Sequence, residues 1–104
     1  MIPWDEVEAQ VSEWQAKTFP TTTALSAARH LALEVAEFIE GDGDCHADRV
    51  GELADCWFML LEARNRMGVT PSEFQETILA KLSRNKTRTW KQPDADGVIE
   101  HVKC

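Results

Sequence analysis

The sequence predicts an all-α fold, a four-helix bundle or a pair of helical hairpins. Apolar residues recur at three- and four-residue spacing through most of the 104 residues. The breaks between these periodic segments are rich in Gly, Pro and Thr. One helix start is complete: Thr70-Pro71-Ser72-Glu73 offers a capping Thr, Pro at the first helical position and Glu three residues after the cap.

The first helix is expected over 3–17, with Pro3 in its first turn and Trp4, Val7, Val11 and Trp14 at helical spacing. Thr18-Phe19-Pro20 ends it. The second, expected over 22–40, starts at Thr22 or Thr23 as cap, with Leu25, Ala28, Leu31, Ala32, Val35 and Ile39 as its apolar stripe. Gly41-Asp42-Gly43-Asp44 then forces a turn. The third, expected over 47–67, carries Leu53, Cys56, Trp57, Leu60, Leu61 and Arg64 along one side, and Gly68 closes it. The fourth, over 71–89, is expected to bury Phe74, Ile78 and Leu82, and an irregular C-terminal tail follows.

The length suits a single domain spanning 1–104. A formal net charge of -7 argues against a nucleic-acid binder, which would present clustered Lys and Arg. No apolar run approaches the roughly 20 residues of a membrane span, so no membrane partner is expected. Nor does a basic, apolar leader open the chain, and a cytoplasmic protein is expected (host cytoplasm, if phage-encoded). Cys45, Cys56 and Cys104 are odd in number and form no Cys-x-x-Cys pair, so neither a disulfide framework nor a zinc site with His46 and His101 follows.

The candidate chemistry lies in two acidic pairs on the middle helices, Glu34-Val-Ala-Glu37 and Glu52-Leu-Ala-Asp55. Residues three apart share a helix face, so each pair points two carboxylates one way. Acids on helices are ordinarily solvated surface. Here Glu34 lies at the edge of its apolar stripe, Glu37 points away from it, and Met59 falls between Glu52 and Asp55 in azimuth. Four convergent carboxylates would repel by roughly 2–3 kcal/mol per pair at an effective dielectric near 20. Convergence would therefore imply a divalent cation, and all-oxygen ligation favours Mg²⁺ or Mn²⁺.

The one concentrated basic segment runs from Lys81 to Lys91, with Lys81, Asn85 and Arg88 spaced along one face and Lys86 beside them. Basic residues near a helix C-terminus also simply complement its dipole. Acids for metal and bases for phosphate are nonetheless the two halves of a metal–triphosphate site. His30, one turn before Glu34, and Trp14, a possible stacking surface, are further candidates for substrate contact, against structural roles for both.

On these residues the chain resembles the all-α MazG-like nucleoside triphosphate pyrophosphohydrolases. Their mark is Glu-x-x-Glu, a gap, then Glu-x-x-Asp; here 14 residues separate Glu37 from Glu52. The ending Trp90-Lys-Gln-Pro93-Asp94-Ala-Asp96-Gly97 is similar to a phage-rich dATP/dGTP pyrophosphohydrolase branch, MazZ. The resemblance implies cleavage of a (d)NTP to (d)NMP and pyrophosphate, with purine dNTPs (dGTP or dATP) as substrates. It implies Mg²⁺ or Mn²⁺ on Glu34, Glu37, Glu52 and Asp55, and activation of water by Glu37, with Glu34 beside it. It also implies triphosphate binding by Lys81, Asn85, Lys86 and Arg88, and a homodimer or homotetramer. The alternatives are a house-cleaning enzyme for non-canonical or pyrimidine nucleotides and a non-catalytic helical interaction module.

Overall fold

The computed structural model describes residues 1–41 and 43–103. Asp42, in the predicted turn, and Cys104, weighed above as a zinc ligand, lie outside the described residues. Helices α1 (Trp4–Thr18), α2 (Ala24–Glu40), α3 (His46–Arg66) and α4 (Pro71–Thr87) follow one another, each end within two residues of its expected place. None is long and apolar enough to cross a membrane. The chain forms two compact units, Met1–Thr70 and Pro71–Cys104.

Local chemistry sets the helix ends of the first unit. Thr23 caps α2 reciprocally with Ser26: the Ser26 N–H donates to the Thr23 hydroxyl at 3.1 Å, and the Thr23 N–H donates to Ser26 Oγ at 2.9 Å. At the end of α3, Gly68 takes φ +75°. This lets the Gly68 and Val69 N–H groups donate back to Asn65 O at 3.0 Å and Arg64 O at 3.3 Å. Two carbonyls that the helix leaves open are thereby satisfied.

Helix α3 is packed on two sides. Toward α2, its main partner, it turns Glu52, Cys56, Met59 and Ala63, and α2 answers with Ala24, Ala27, Leu31, Glu34 and Phe38. These residues alternate three- and four-residue steps, the spacing of a helix–helix seam. Toward α1 the ties are largely polar and recur once per turn. Arg64 pairs with Glu8 at 2.6 Å, Asn65 Nδ2 donates to Ser12 Oγ at 2.8 Å, and Gln15 Nε2 donates to Phe58 O at 2.8 Å. Trp4 meets Trp57 with ring centroids 5.7 Å apart.

The expected apolar stripes are therefore only partly the buried ones. Leu25, Val35 and Ile39 on α2, Leu53 and Leu60 on α3, Trp4 and Trp14 on α1, and Ile78 and Leu82 on α4 remain exposed in the single chain. Hydrophobic periodicity marks a helix, but this chain carries more apolar residues than its own helix contacts cover. The α2 face chosen for packing is offset from the stripe and brings in Ala27 and Glu34 instead.

In the second unit the tail folds back as a small hairpin. The Lys91 N–H donates to Glu100 O at 2.8 Å and the Val102 N–H to Thr89 O at 2.7 Å, on either side of a Trp90–His101 bridge. Asp94 Oδ1 accepts from the Asp96 and Val98 N–H groups, both at 2.9 Å, and Gly97 supplies the positive φ of the turn.

Two glycines of α3 and its cap should respond oppositely to alanine. Gly51 lies inside α3, and a Cβ there meets nothing within 4 Å. Gly51→Ala should gain about 0.5–1 kcal/mol. Gly68→Ala should lose about 1–2 kcal/mol, because the left-handed conformation strains any Cβ. Urea denaturation midpoints read both, and shifts of the same sign would contradict this account of the helix.

Candidate active site

Each acidic pair splits between the seam and its flank. Glu34 and Glu52, in the seam, are half-buried, whereas Glu37 and Asp55 are exposed one turn away. The outward azimuth expected of Glu37 agrees with this, while Asp55, expected among apolar residues, is also open to solvent. Burial comes first in holding the Glu34 carboxyl above the usual carboxylate range. The Glu37 charge, the hydrogen bond Glu34 shares with Glu37, and Asp55 push the same way, while His30 pulls it back. Burial also pushes the Cys56 thiol up, with Glu34, Asp55 and Glu52 adding to the shift. Acids of both helices thus act on one small thiol in the seam, and the four carboxylates form one negative neighbourhood.

Two basic groups border it. His30 Nε2 lies 3.0 Å from Glu34 Oε1, one turn earlier on α2, with its ring more than half exposed. Arg49, which sequence reasoning passed over, donates from Nη1 to Phe38 O and lies 3.7 Å above the Phe38 ring. The same Nη1 is 3.7 Å from Glu52 Oε2, too far for a hydrogen bond. That oxygen is buried and has no hydrogen-bond partner among the described residues. Arg49 was findable from its place three residues before Glu52, on the same helix face. Gly41 completes the turn end: a Cβ there would stand 3.0 Å from Glu52 Oε1 and 2.7 Å from Asp44 Oδ2.

Among the described residues no three His, Cys, Asp or Glu side chains are placed to hold a metal ion as they stand. The donor chemistry nevertheless fits a hard divalent cation. The candidates are all carboxylate oxygens. One of them is a buried oxygen without a hydrogen bond among the described residues, and another belongs to the carboxyl that burial and its acidic neighbours push above the usual carboxylate range. A cation held by these carboxylates would offset both the unpaired oxygen and the mutual repulsion of the acids.

The remaining candidates lie apart from the acids in sequence. In the second unit Lys81 and Lys86 are exposed, and Asn85 and Arg88 are half-buried. Arg88 Nη1 donates to Asn85 Oδ1 at 3.0 Å, and Trp90 Nε1 donates to Asn85 O at 3.1 Å. The Arg88 charge, ahead of burial, Lys103 and Arg84, lowers the pKa of His101, which marks a local positive cluster. Trp14 is exposed and packs edge-on to Phe19, with centroids 5.4 Å apart. His30 also borders a cavity of about 160 Å³ reaching Phe19, Met59 and Glu62. Glu62 was another omission, although it lies seven residues beyond Asp55 on the same side of α3.

A family model described as dATP/dGTP pyrophosphohydrolase matches residues 7–104. A dATP/dGTP diphosphohydrolase of Salmonella phage PMBT28 is 30% identical over 97 residues, which are 93% of this chain and 31% of that protein. The Eaa protein of Salmonella phage P22 is 36% identical over 52 residues, 50% of this chain and 16% of that protein. The chain thus spans a third or less of the curated relatives it matches. Among solved structures, the cyanophage S-2L MazG-like pyrophosphohydrolase, bound to dGDP and three catalytic Mn²⁺ ions per active site, superposes with a TM-score of 0.78. It is 24% identical, over 99% of this chain and 96% of that one, which shows a shared all-α fold.

The raised Glu34 pKa carries a stability consequence. Between the ordinary carboxylate pKa and the raised one, the folded chain binds more protons than the unfolded chain, so metal-free stability falls as pH rises through that window. Glu34→Gln removes the repulsion at neutral pH and should raise the metal-free Tm by a few degrees, given ~0.5 kcal/mol per like-charged pair. It should also flatten the decline that sets in above the ordinary carboxylate pKa. Thermal scans in EDTA at several pH values test this, and a lower Tm at pH 7 would count against it.

Proposed function

Because this chain belongs to the dATP/dGTP pyrophosphohydrolase family, we propose that it hydrolyses purine deoxynucleoside triphosphates, dGTP or dATP, at the α–β phosphoanhydride to give the monophosphate and pyrophosphate. The observation that supports this reading most is the place of Glu34 and Glu52 half-buried along the α2–α3 seam with Glu37 and Asp55 one turn away, where the acids join burial in pushing the Glu34 carboxyl and the Cys56 thiol up. These four carboxylates would hold the divalent metal. Bound there, Mg²⁺ or Mn²⁺ stabilises charge on the phosphate oxygens and makes water more acidic.

The chain's own residues divide the remaining work. Glu37, exposed and hydrogen-bonded to Glu34, accepts the proton of the attacking water. Glu34 stays half-buried and holds Glu37 in place. Arg49 holds the turn end of the hairpin against Phe38 and keeps Glu52 from swinging outward. Lys81, Asn85, Lys86 and Arg88 are the groups of the second unit suited to binding phosphate oxygens. The related phage diphosphohydrolase and the dGDP-bound cyanophage enzyme support a purine nucleotide substrate and Mn²⁺ or Mg²⁺ as the metal.

A panel of dNTPs with Mg²⁺ or Mn²⁺ tests the reading by pyrophosphate release. Purine dNTPs should yield monophosphate and pyrophosphate, and Glu37→Gln should lower kcat by roughly 10²–10⁴-fold. No release from any dNTP would overturn it.

We further propose a homodimer or homotetramer, which would cover the exposed Leu25, Val35, Ile39, Leu53 and Leu60. Light scattering should return two or four chain masses, and a monomer at micromolar concentration would refute it.

A further inference from the structure

We infer that the cavity between the start of α2 and the second half of α3 is a purine-base pocket in which Glu62 selects guanine over adenine; this rests on the dNTP reading above. Ala27, 1% exposed, Met59, 8%, and Glu62, 2%, are buried residues of its lining, with Phe19 and His30 also bordering it. A carboxylate that deep costs free energy unless its oxygens are satisfied. Among the described residues one satisfying contact is seen, from Arg66 Nη2 to Glu62 Oε1 at 3.2 Å. The same nitrogen donates to Phe19 O at 2.7 Å. One guanidinium therefore fixes the carboxylate and the backbone of an aromatic residue on the cavity wall. Trp14 braces the Phe19 ring from the side. The result is a preformed slot with apolar and aromatic walls and one acceptor held in place, the usual plan of a small-ligand site.

The acceptor decides the ligand. An ion-paired carboxylate accepts hydrogen bonds and donates none. Guanine presents N1–H and the N2 amine side by side, two donors for one carboxylate, a charge-assisted two-point match. Adenine sets its N6 amine beside the N1 lone pair, which a carboxylate repels. Cytosine likewise has one amine beside an acceptor, and thymine has a single N–H between two carbonyls. The O6 of guanine needs a donor, and Thr22 and His30, two residues that can donate, both line the cavity. His30 also touches Glu34, so a nucleotide seated here would run past His30 from its base toward the acids.

The test compares wild type with Glu62→Gln on dGTP, dATP and dITP, the last lacking the N2 amine, all with Mg²⁺. Wild type should favour dGTP. In Glu62→Gln, kcat/KM for dGTP should fall roughly 10- to 100-fold while that for dATP changes less than about 3-fold. Equal losses on both, or an unchanged dGTP/dATP ratio, would show a purely structural Glu62 and overturn the inference. If Glu62→Gln does not fold, wild type decides: dITP should be turned over several-fold less efficiently than dGTP, and parity would overturn the pocket.

Should wild type release no pyrophosphate at all, the catalytic reading fails separately. Equilibrium dialysis then judges the pocket: dGMP should bind wild type more tightly than dAMP does, and equal affinities would sink it.

Discussion

Two carboxylates in a helix–helix seam constrain the rest of this structure. Glu34 and Glu52 occupy positions that packing would fill with Leu or Ile, and each is half-buried. Their neighbours are the residues that make this tolerable. Ala27 and Ala24 keep the seam narrow further along α2, Gly41 leaves room beside Glu52, and His30 and Arg49 bring positive or polarisable groups to the two carboxylates. The compensation is incomplete: burial and the neighbouring acids still hold the Glu34 carboxyl above the usual carboxylate range, and among the described residues one Glu52 oxygen has no hydrogen bond. A site kept short of full satisfaction in the free protein has differential affinity to offer a cation.

Helix α3 carries this arrangement because it is anchored on both sides. Its α1 side is held by contacts that recur each turn, from Glu8 to Phe19, several of them through backbone carbonyls and charged groups. Such contacts are directional, so they set the rotation of α3 as well as its position. Rotation matters here more than it would in an apolar seam. About 100° of turn separates one residue from the next, enough to carry Glu52 out of the seam and replace it with Leu53.

The helices were legible in the sequence to within two residues because their ends are written in short-range chemistry: Thr23, Gly41, Gly68 and Pro71 act on their own neighbours. The buried faces were less legible. The α2 stripe of Leu25, Val35 and Ile39 is strongly apolar yet exposed, because hydrophobicity states what prefers burial and not which partner provides it. The acids were found by spacing, and their gathering came from a family resemblance rather than from periodicity. Arg49 and Glu62 were overlooked for one reason. Each reads in the sequence as an ordinary surface charge, and only the fold reveals that Arg49 stacks on Phe38 and that Glu62 is buried against Arg66.

Placed along α2, the proposed roles fall in one order. Ser26, Ala27 and His30 border the cavity, and Glu34 and Glu37 follow within two turns. From Ala27 to Glu34 the axial rise is about 10 Å, a nucleoside's length. His30 stands between, near enough to touch Glu34, and so joins the part of the hairpin that would hold a base to the part that would hold charge. With these roles, selectivity and catalysis would be tied through a single helix. A base that seated poorly against Glu62 would displace its own phosphates from the acids, and such displacement would lower the reaction rate as well as the affinity.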